Sequence, residues 1–278
     1  MRKKILSLAL ALAMCLGLMA VPAAAVNPGE EWVGDFVVKG DTLVKYYGED
    51  SVVTVPGGIT KIGTNAFEDC VSLKSVTIPN GVTEIESYSF KDCTGLTSVT
   101  IPNSVTSIGY SVFSRCTSLT NVTIPNSVTQ MGSSVFLGCT SLENVSISNS
   151  ITKLERGLFY GCTSLTIVTI PSSVREIDWE VFYGCTALTN VTIPSSVTSI
   201  GKSAFSGCTS LKSVVIPSGV TRIEDFTFSK SGLTSVTIPS GVTEIGSYAF
   251  GDCTSLTSMT IPLSVTSIDS WAFMGCTG

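Results

Sequence analysis

The chain has 278 residues, 13% of them charged, with 16 basic and 21 acidic side chains, no histidine and a formal net charge of −5. The first 25 residues hold Arg2, Lys3 and Lys4 and no acid, so without them 16 − 3 = 13 basic residues face 21 acidic ones, a net charge of −8. So acidic a chain cannot replace the counterions of nucleic-acid phosphate. The missing histidine excludes histidine triads, histidine-ligated metals and imidazole acid–base chemistry, while an apolar share of 44% argues against disorder.

Residues 1–25 read as a secretory signal peptide. Met1 to Lys4 is a positive n-region, Ile5 to Met19 is an uncharged apolar run, and Ala23-Ala24-Ala25 offers an A-x-A cleavage site. The run is short for a membrane span, and no second run of about 18 apolar residues occurs later in the chain. Cys15 sits inside the run; a lipidated cysteine needs a small residue before it, and Met14 is not small. The expected mature N-terminus is Val26 and the expected location is extracellular, secreted or held at a cell surface.

Residues 26–50 carry no repeat signature. Phe36-Val37-Val38 and Leu43-Val44-Lys45-Tyr46-Tyr47 flank Lys39-Gly40-Asp41, which predicts a β-hairpin covering the first coil of a repeat region. The Lys-Gly-Asp tripeptide is read as its turn rather than as an integrin motif.

From residue 51 to residue 278 one unit repeats about ten times, the last unit being incomplete. Phenylalanines recur from Phe67 through Phe90 and Phe113 to Phe273 at a constant step of 90 − 67 = 23, except between Phe228 and Phe250, where the step is 250 − 228 = 22. A repeat of this regularity decides the architecture before any local propensity does. In the unit ending at Cys139, Leu119, Val122 and Ile124 point inward from an extended segment whose Asn121 and Thr123 face outward. Pro125 lacks an N–H and ends that strand. Val128 and Met131 form a second short inward stretch, Gly132 permits a bend, and Val135, Phe136 and Cys139 suit a single helical or 3₁₀ turn. Ordering each residue costs roughly 1–2 kcal/mol. Eight inward side chains return roughly 1.5–3 kcal/mol each, so one unit cannot fold alone. Units must stack into a solenoid with a parallel sheet on one face.

Nine cysteines lie beyond residue 25, one in every unit but that of Phe228. The count is odd and no C-x-x-C pair occurs, so neither a disulfide framework nor a zinc site is indicated. Stacked equivalent positions hold their Cβ atoms parallel, which predicts free buried thiols. No G-x-S-x-G, phosphate loop or metal-binding carboxylate repeat appears, so no cofactor and no enzymatic activity are expected. The outward strand columns are nearly uniform in Ser, Asn and Thr, a pattern that fits an exposed sheet and would also suit a glycan surface.

The pattern L-x-x-V-x-I-P-x-S-V-T-x-I-G-x-x-A/V-F-x-x-C resembles the BspA-like leucine-rich repeats of bacterial surface proteins. It covers about Ser51 to Gly278 and departs at Ile147-Ser148, where the proline is lost, and around Ser231, where the cysteine is lost. The resemblance implies a right-handed leucine-rich-repeat coil, with short strands, 3₁₀ or helical turns opposite the sheet. It also implies a secreted or surface-displayed, non-enzymatic protein that binds a macromolecule, a host matrix protein or a surface glycan, in adhesion. A spacer module without its own ligand is the competing reading.

Specificity is sought where the repeat is broken. The fifth and sixth units bring Arg156 and Trp179 into one column and Tyr160 and Tyr183 into another, with Arg175 nearby; arginine among exposed aromatics is the composition of interface hot spots. These five residues are the candidate ligand-binding site. The chain stops at Cys276-Thr277-Gly278, halfway through a unit, so the last coil is expected to be uncapped and open to self-association. Secreted from a bacterial host, the protein should give Val26 as its first residue on N-terminal sequencing; an intact Met1 would remove the signal-peptide assignment.

Overall fold

A computed structural model describes residues 26–278; residues 1–25, and the signal-peptide reading with them, lie outside the described residues. The repeats form a β-solenoid, and each coil can be numbered by its phenylalanine, from coil 1 (Phe67) to coil 10 (Phe273). A coil has three sides. Its front side is a three-residue strand such as Asn121–Thr123, with Val122 4% exposed between two outward residues. Its flank is a two-residue strand such as Gln130–Met131. Its third side is a run of turns carrying the phenylalanine. Equivalent residues pair in parallel from coil to coil, as Asn121 with Asn144 and Gln130 with Ser107.

The third side is not helical, contrary to the expectation of a helical or 3₁₀ turn at Val135–Cys139. In each coil two residues, such as Ser134 (φ 59°) and Gly138 (φ 69°), adopt the left-handed conformation, which a right-handed helix cannot contain. Successive peptide groups then alternate in direction. Leu137 and Cys139 donate within the coil to the carbonyls of Ser134 and Phe136, at 3.1 Å each. Ser134, Phe136 and Gly138 donate to Arg156, Leu158 and Tyr160 of the next coil, at 2.7–3.0 Å. This turn ladder runs unbroken from coil 1 to coil 10. Its inter-coil N–H groups point toward the next coil and the accepting carbonyls toward the previous one.

Behind the ladder the phenylalanines stack face to face, with centroids 4.8–5.7 Å apart and ring planes within 15°. Phe67 to Phe250 are fully buried. Each cysteine beyond the first donates its thiol to the carbonyl of the preceding coil's phenylalanine, Cys139 Sγ to Phe113 O at 3.0 Å for example. Where serine replaces cysteine, Ser231 Oγ meets Cys253 Sγ at 3.3 Å and the ring column continues. All nine described cysteines are free. The glycine after the flank strand answers to space rather than to backbone freedom: a Cβ on Gly132 would lie 2.5 Å from the backbone nitrogen of Tyr110.

The N-terminal residues close the carbonyl end of the ladder. Strands β1 (Glu30–Val33), β2 (Phe36–Lys39) and β3 (Thr42–Tyr46) form an antiparallel meander, and β3 pairs in parallel with Lys61–Ile62. Tyr46 N–H donates to Ala66 O at 2.8 Å, and Lys45 Nζ donates to Asn65 O at 2.9 Å. Phe36 and Tyr46 prolong the phenylalanine column, with centroids 5.0 and 5.4 Å apart along it. The sequence reading missed β1, whose short alternation of half-buried and exposed residues is weak.

Unlike the turn ladder, both strand ladders are interrupted. Flank pairing lapses between Gln130–Met131 and Lys153–Leu154, and front pairing between Asn144–Ser146 and Ile167–Thr169; both lapse again between coils 7 and 8. The first interruption coincides with the lost proline. Ser148 is fully buried there, its hydroxyl donating to Val128 O at 2.8 Å and accepting from Ser150 N–H. The chain between front strand and flank strand is thereby tied to a side-chain bond that proline cannot make. A cleft of about 210 Å³ lined by Met131, Thr152 and Glu155 opens at the flank interruption.

Burial pushes the Cys139 and Cys208 thiols up to about 12 and holds Cys162 and Cys185 well above the ordinary thiol range. The folded chain therefore keeps protons that the unfolded chain releases above about pH 8.5. The thiols should leave stability level between pH 7 and about 8.5 and make it fall steadily as pH climbs toward 12, as read from urea midpoints at pH 7, 9 and 10.5. Under native conditions only the half-buried Cys70 and Cys276 should react readily with a thiol reagent, and all nine mature thiols should react once unfolded. Four stable disulfides would overturn the stacking geometry.

Candidate functional site

The candidate residues lie where coils 5 and 6 leave their third sides exposed. Arg156 and Trp179 occupy equivalent positions and are tied through the backbone, Gly157 N–H donating to Trp179 O at 2.9 Å. The guanidinium turns to a carboxylate of the next coil, with Nε and a terminal nitrogen 3.2 and 3.0 Å from the same Glu180 oxygen. Trp179 is 50% exposed. Its indole rests over Gly201, where a Cβ would come within 2.8 Å of the ring. Asp178 accepts the Trp179 N–H at 2.7 Å and fixes the start of the turn.

Tyr160 and Tyr183 stack at 4.7 Å with planes 11° apart. Burial, with Tyr183 against it, raises the Tyr160 phenol above its ordinary range. Tyr183 is the outer ring, 36% exposed. At Gly157 a Cβ would lie 3.8 Å from Tyr160 Cβ, an ordinary contact, but only 3.1 Å from Ser134 Oγ. The structure thus joins Arg156 to the turn that carries Trp179 and joins Tyr160 to Tyr183. Arg175 forms no side-chain hydrogen bond or ion pair with the other four among the described residues. It is exposed in the column before the flank strand, its carbonyl accepts Thr198 N–H at 2.9 Å, and its guanidinium has no partner among the described residues.

Two features escaped the sequence reading. Lys153 gathers Asp178 at 2.8 Å, Glu176 at 3.0 Å and Glu155 at 3.7 Å beneath the patch. These contacts, Asp178 foremost, raise the Lys153 ammonium, while burial raises the Glu155 carboxyl. The single repeat step from Lys153 to Glu176 was the available signal. In coils 8 to 10, exposed Phe226, half-buried Tyr248 and exposed Trp271 form a second aromatic column, with centroids 5.1 and 5.4 Å apart. All three sit at left-handed positions, with φ of 57°, 52° and 60°.

No group of His, Cys, Asp and Glu able to hold a metal occurs among the described residues. On the front side lies a shallow groove of about 570 Å³ across coils 3 to 5, with asparagine amides and hydroxyls at its rim.

A family model described as BspA type leucine rich repeat region, in six copies, matches residues 60–188 and 175–278. Comparison with curated proteins finds no match. Among solved structures the chain is similar to a leucine-rich repeat protein from Bacteroides ovatus, at 27% identity over 90% of this chain and 83% of that one, with a TM-score of 0.61. It is similar to a leucine rich repeat protein of T. pallidum at 30% identity, covering 66% of this chain and 86% of that one, with a TM-score of 0.59. A leucine rich cell surface protein from Faecalibacterium prausnitzii is 28% identical over 91% of this chain and 94% of that one, with a TM-score of 0.50.

The exposed Arg156–Glu180 pair should add little stability, so Arg156→Ala is expected to cost less than about 1 kcal/mol by urea denaturation. Gly201→Ala forces both the indole and the Asp178 backbone to move and should cost about 1–3 kcal/mol with a change in tryptophan fluorescence. Equal costs for the two variants would contradict this account of how Trp179 is seated.

Proposed function

From a chain that belongs to the BspA-type leucine-rich-repeat family, we propose a secreted or surface-held protein that binds a protein partner in adhesion through the patch on coils 5 and 6. Repeat proteins of this kind are generally non-enzymatic scaffolds, and the relative from Faecalibacterium is described as a cell surface protein. No helix among the described residues is long and apolar enough to cross a membrane.

The observation that carries the proposal is the exposure of Trp179 and Tyr183 beside the Arg156–Glu180 pair. Gly157, Gly161 and Gly184 occupy three of the four left-handed positions around them, and Glu180 the fourth. Exposed rings can be covered by a partner with no loss of native packing. A spacer module gains nothing from such rings, because the stack of coils is held by the buried phenylalanines and the turn ladder.

The test is binding of the mature protein to immobilised fibronectin, fibrinogen, laminin and collagen, with the double variant Trp179→Ala and Tyr183→Ala beside it. Removing two aromatic anchors should weaken binding at least tenfold, since such residues commonly carry about 2 kcal/mol or more. The melting temperature should barely change. Unchanged affinity would sink the patch assignment, and no binding to any matrix protein would favour the spacer reading.

A further inference from the structure

The groove on the front side differs in kind from the aromatic patch. It crosses coils 3 to 5 and contains no ionisable side chain. Its rim carries the amides of Asn103, Asn121, Asn126 and Asn149, with Thr123 and Ser146 between them. Behind the rim lie Ile101, Ile124, Ile147 and Pro125, all buried, with the isoleucine side chains turned into the core.

Three of those asparagines form one column, the position after the strand-ending proline or its replacement. That column reads Asn80, Asn103, Asn126 and Asn149 in coils 2 to 5, then Ser172, Ser195, Ser218 and Ser240 in coils 6 to 9. The fold uses serine there as readily as asparagine, so the coil does not require the amides. They do little internal work. Asn126 Oδ1 accepts the Asn149 N–H at 2.9 Å, while the side-chain amides of Asn103 and Asn149 have no partner among the described residues. Asn121 is the exception, donating to Thr120 and accepting from Asn144, each at 3.0 Å. All four asparagines are exposed.

An amide offers a donor and an acceptor side by side, the complement of two neighbouring hydroxyls on a sugar ring. One amide per coil recurs along the groove at about the 4.8 Å spacing of the strands. The lining offers no cation to attract a carboxylated or sulfated ligand, which favours a neutral one. The volume lies within the roughly 300–1,000 Å³ range of small-ligand sites. We infer that the front groove of coils 3 to 5 is a binding site for a short stretch of neutral glycan, laid along the solenoid axis with its hydroxyls on the asparagine column. This goes beyond the adhesion reading and does not depend on the coil 5 and 6 patch, since no groove residue belongs to that patch.

The test uses titration calorimetry of the mature protein with xylo-, cello-, manno- and chito-oligosaccharides of two to six rings, and with a sulfated oligosaccharide for comparison. The key variant, Asn103→Ser with Asn126→Ser and Asn149→Ser, installs the residue that coils 6 to 9 already carry and should leave the melting temperature within a few degrees. At least one neutral series should bind, more tightly with each added ring up to the groove's length, and the variant should lose at least tenfold in affinity. The sulfated sugar should not bind. No binding by any neutral series, or equal binding by the serine variant, overturns the inference. Matrix-protein binding that survives while sugar binding is absent removes the groove assignment and leaves the adhesion proposal standing. Sugar binding without matrix-protein binding does the reverse.

Discussion

The structure depends on how the third side of each coil handles its backbone. Two left-handed residues per coil make successive peptide groups alternate, one bonded inside the coil and the next bonded to the following coil. Every coil is closed and attached to its neighbour by the same few residues. The phenylalanine column lies behind this ladder, and each cysteine thiol beyond Cys70 takes a further share of a phenylalanine carbonyl. That carbonyl already accepts the N–H of its own coil's cysteine, so the thiol fills its second lone pair while the small side chain packs in the core. The ladder also has a direction, which is why Lys45 and Tyr46, both donors, can close its N-terminal end.

That spine lets the other two sides vary. Both strand ladders can lapse around coil 5 and between coils 7 and 8 without interrupting the ring column, since rings and turns cross both gaps. In a solenoid, stability is close to a sum of units and nearest-neighbour interfaces. A local loss of strand pairing is therefore confined to one junction. Ser148 shows the chemistry of such a lapse, with a hydroxyl-to-carbonyl bond in place of a proline-directed turn.

The surface divides in the same way. The candidate residues of coils 5 and 6 and the amides of coils 3 to 5 all sit on positions where the core asks for nothing in particular, and both groups flank the interrupted junction. Left-handed backbone at a bulky residue costs about 1 kcal/mol or more. Phe226, Tyr248 and Trp271 accept that cost at positions where Gly157 shows a strain-free alternative. Their rings stack on one another, which returns part of it.

The sequence by itself determined the period, the inward residues, the free thiols and the family, because apolar side chains recurring at one fixed step must stack to be buried. Leu119, Val122, Phe136 and Cys139 could be placed in the core from spacing alone, and all are within 4% of full burial. The pairing of Arg156 with Trp179 and of Tyr160 with Tyr183 followed from the same arithmetic. Only the tertiary structure decided the conformation of the turns, since residues as different as Glu180, Phe226 and Gly157 share one backbone state. Their left-handed geometry is imposed by hydrogen bonds to the neighbouring coil, a whole repeat away along the chain, which no local pattern encodes. For the same reason only the fold could gather three carboxylates around Lys153 and turn a column of asparagines, one from each successive repeat, into the rim of a groove.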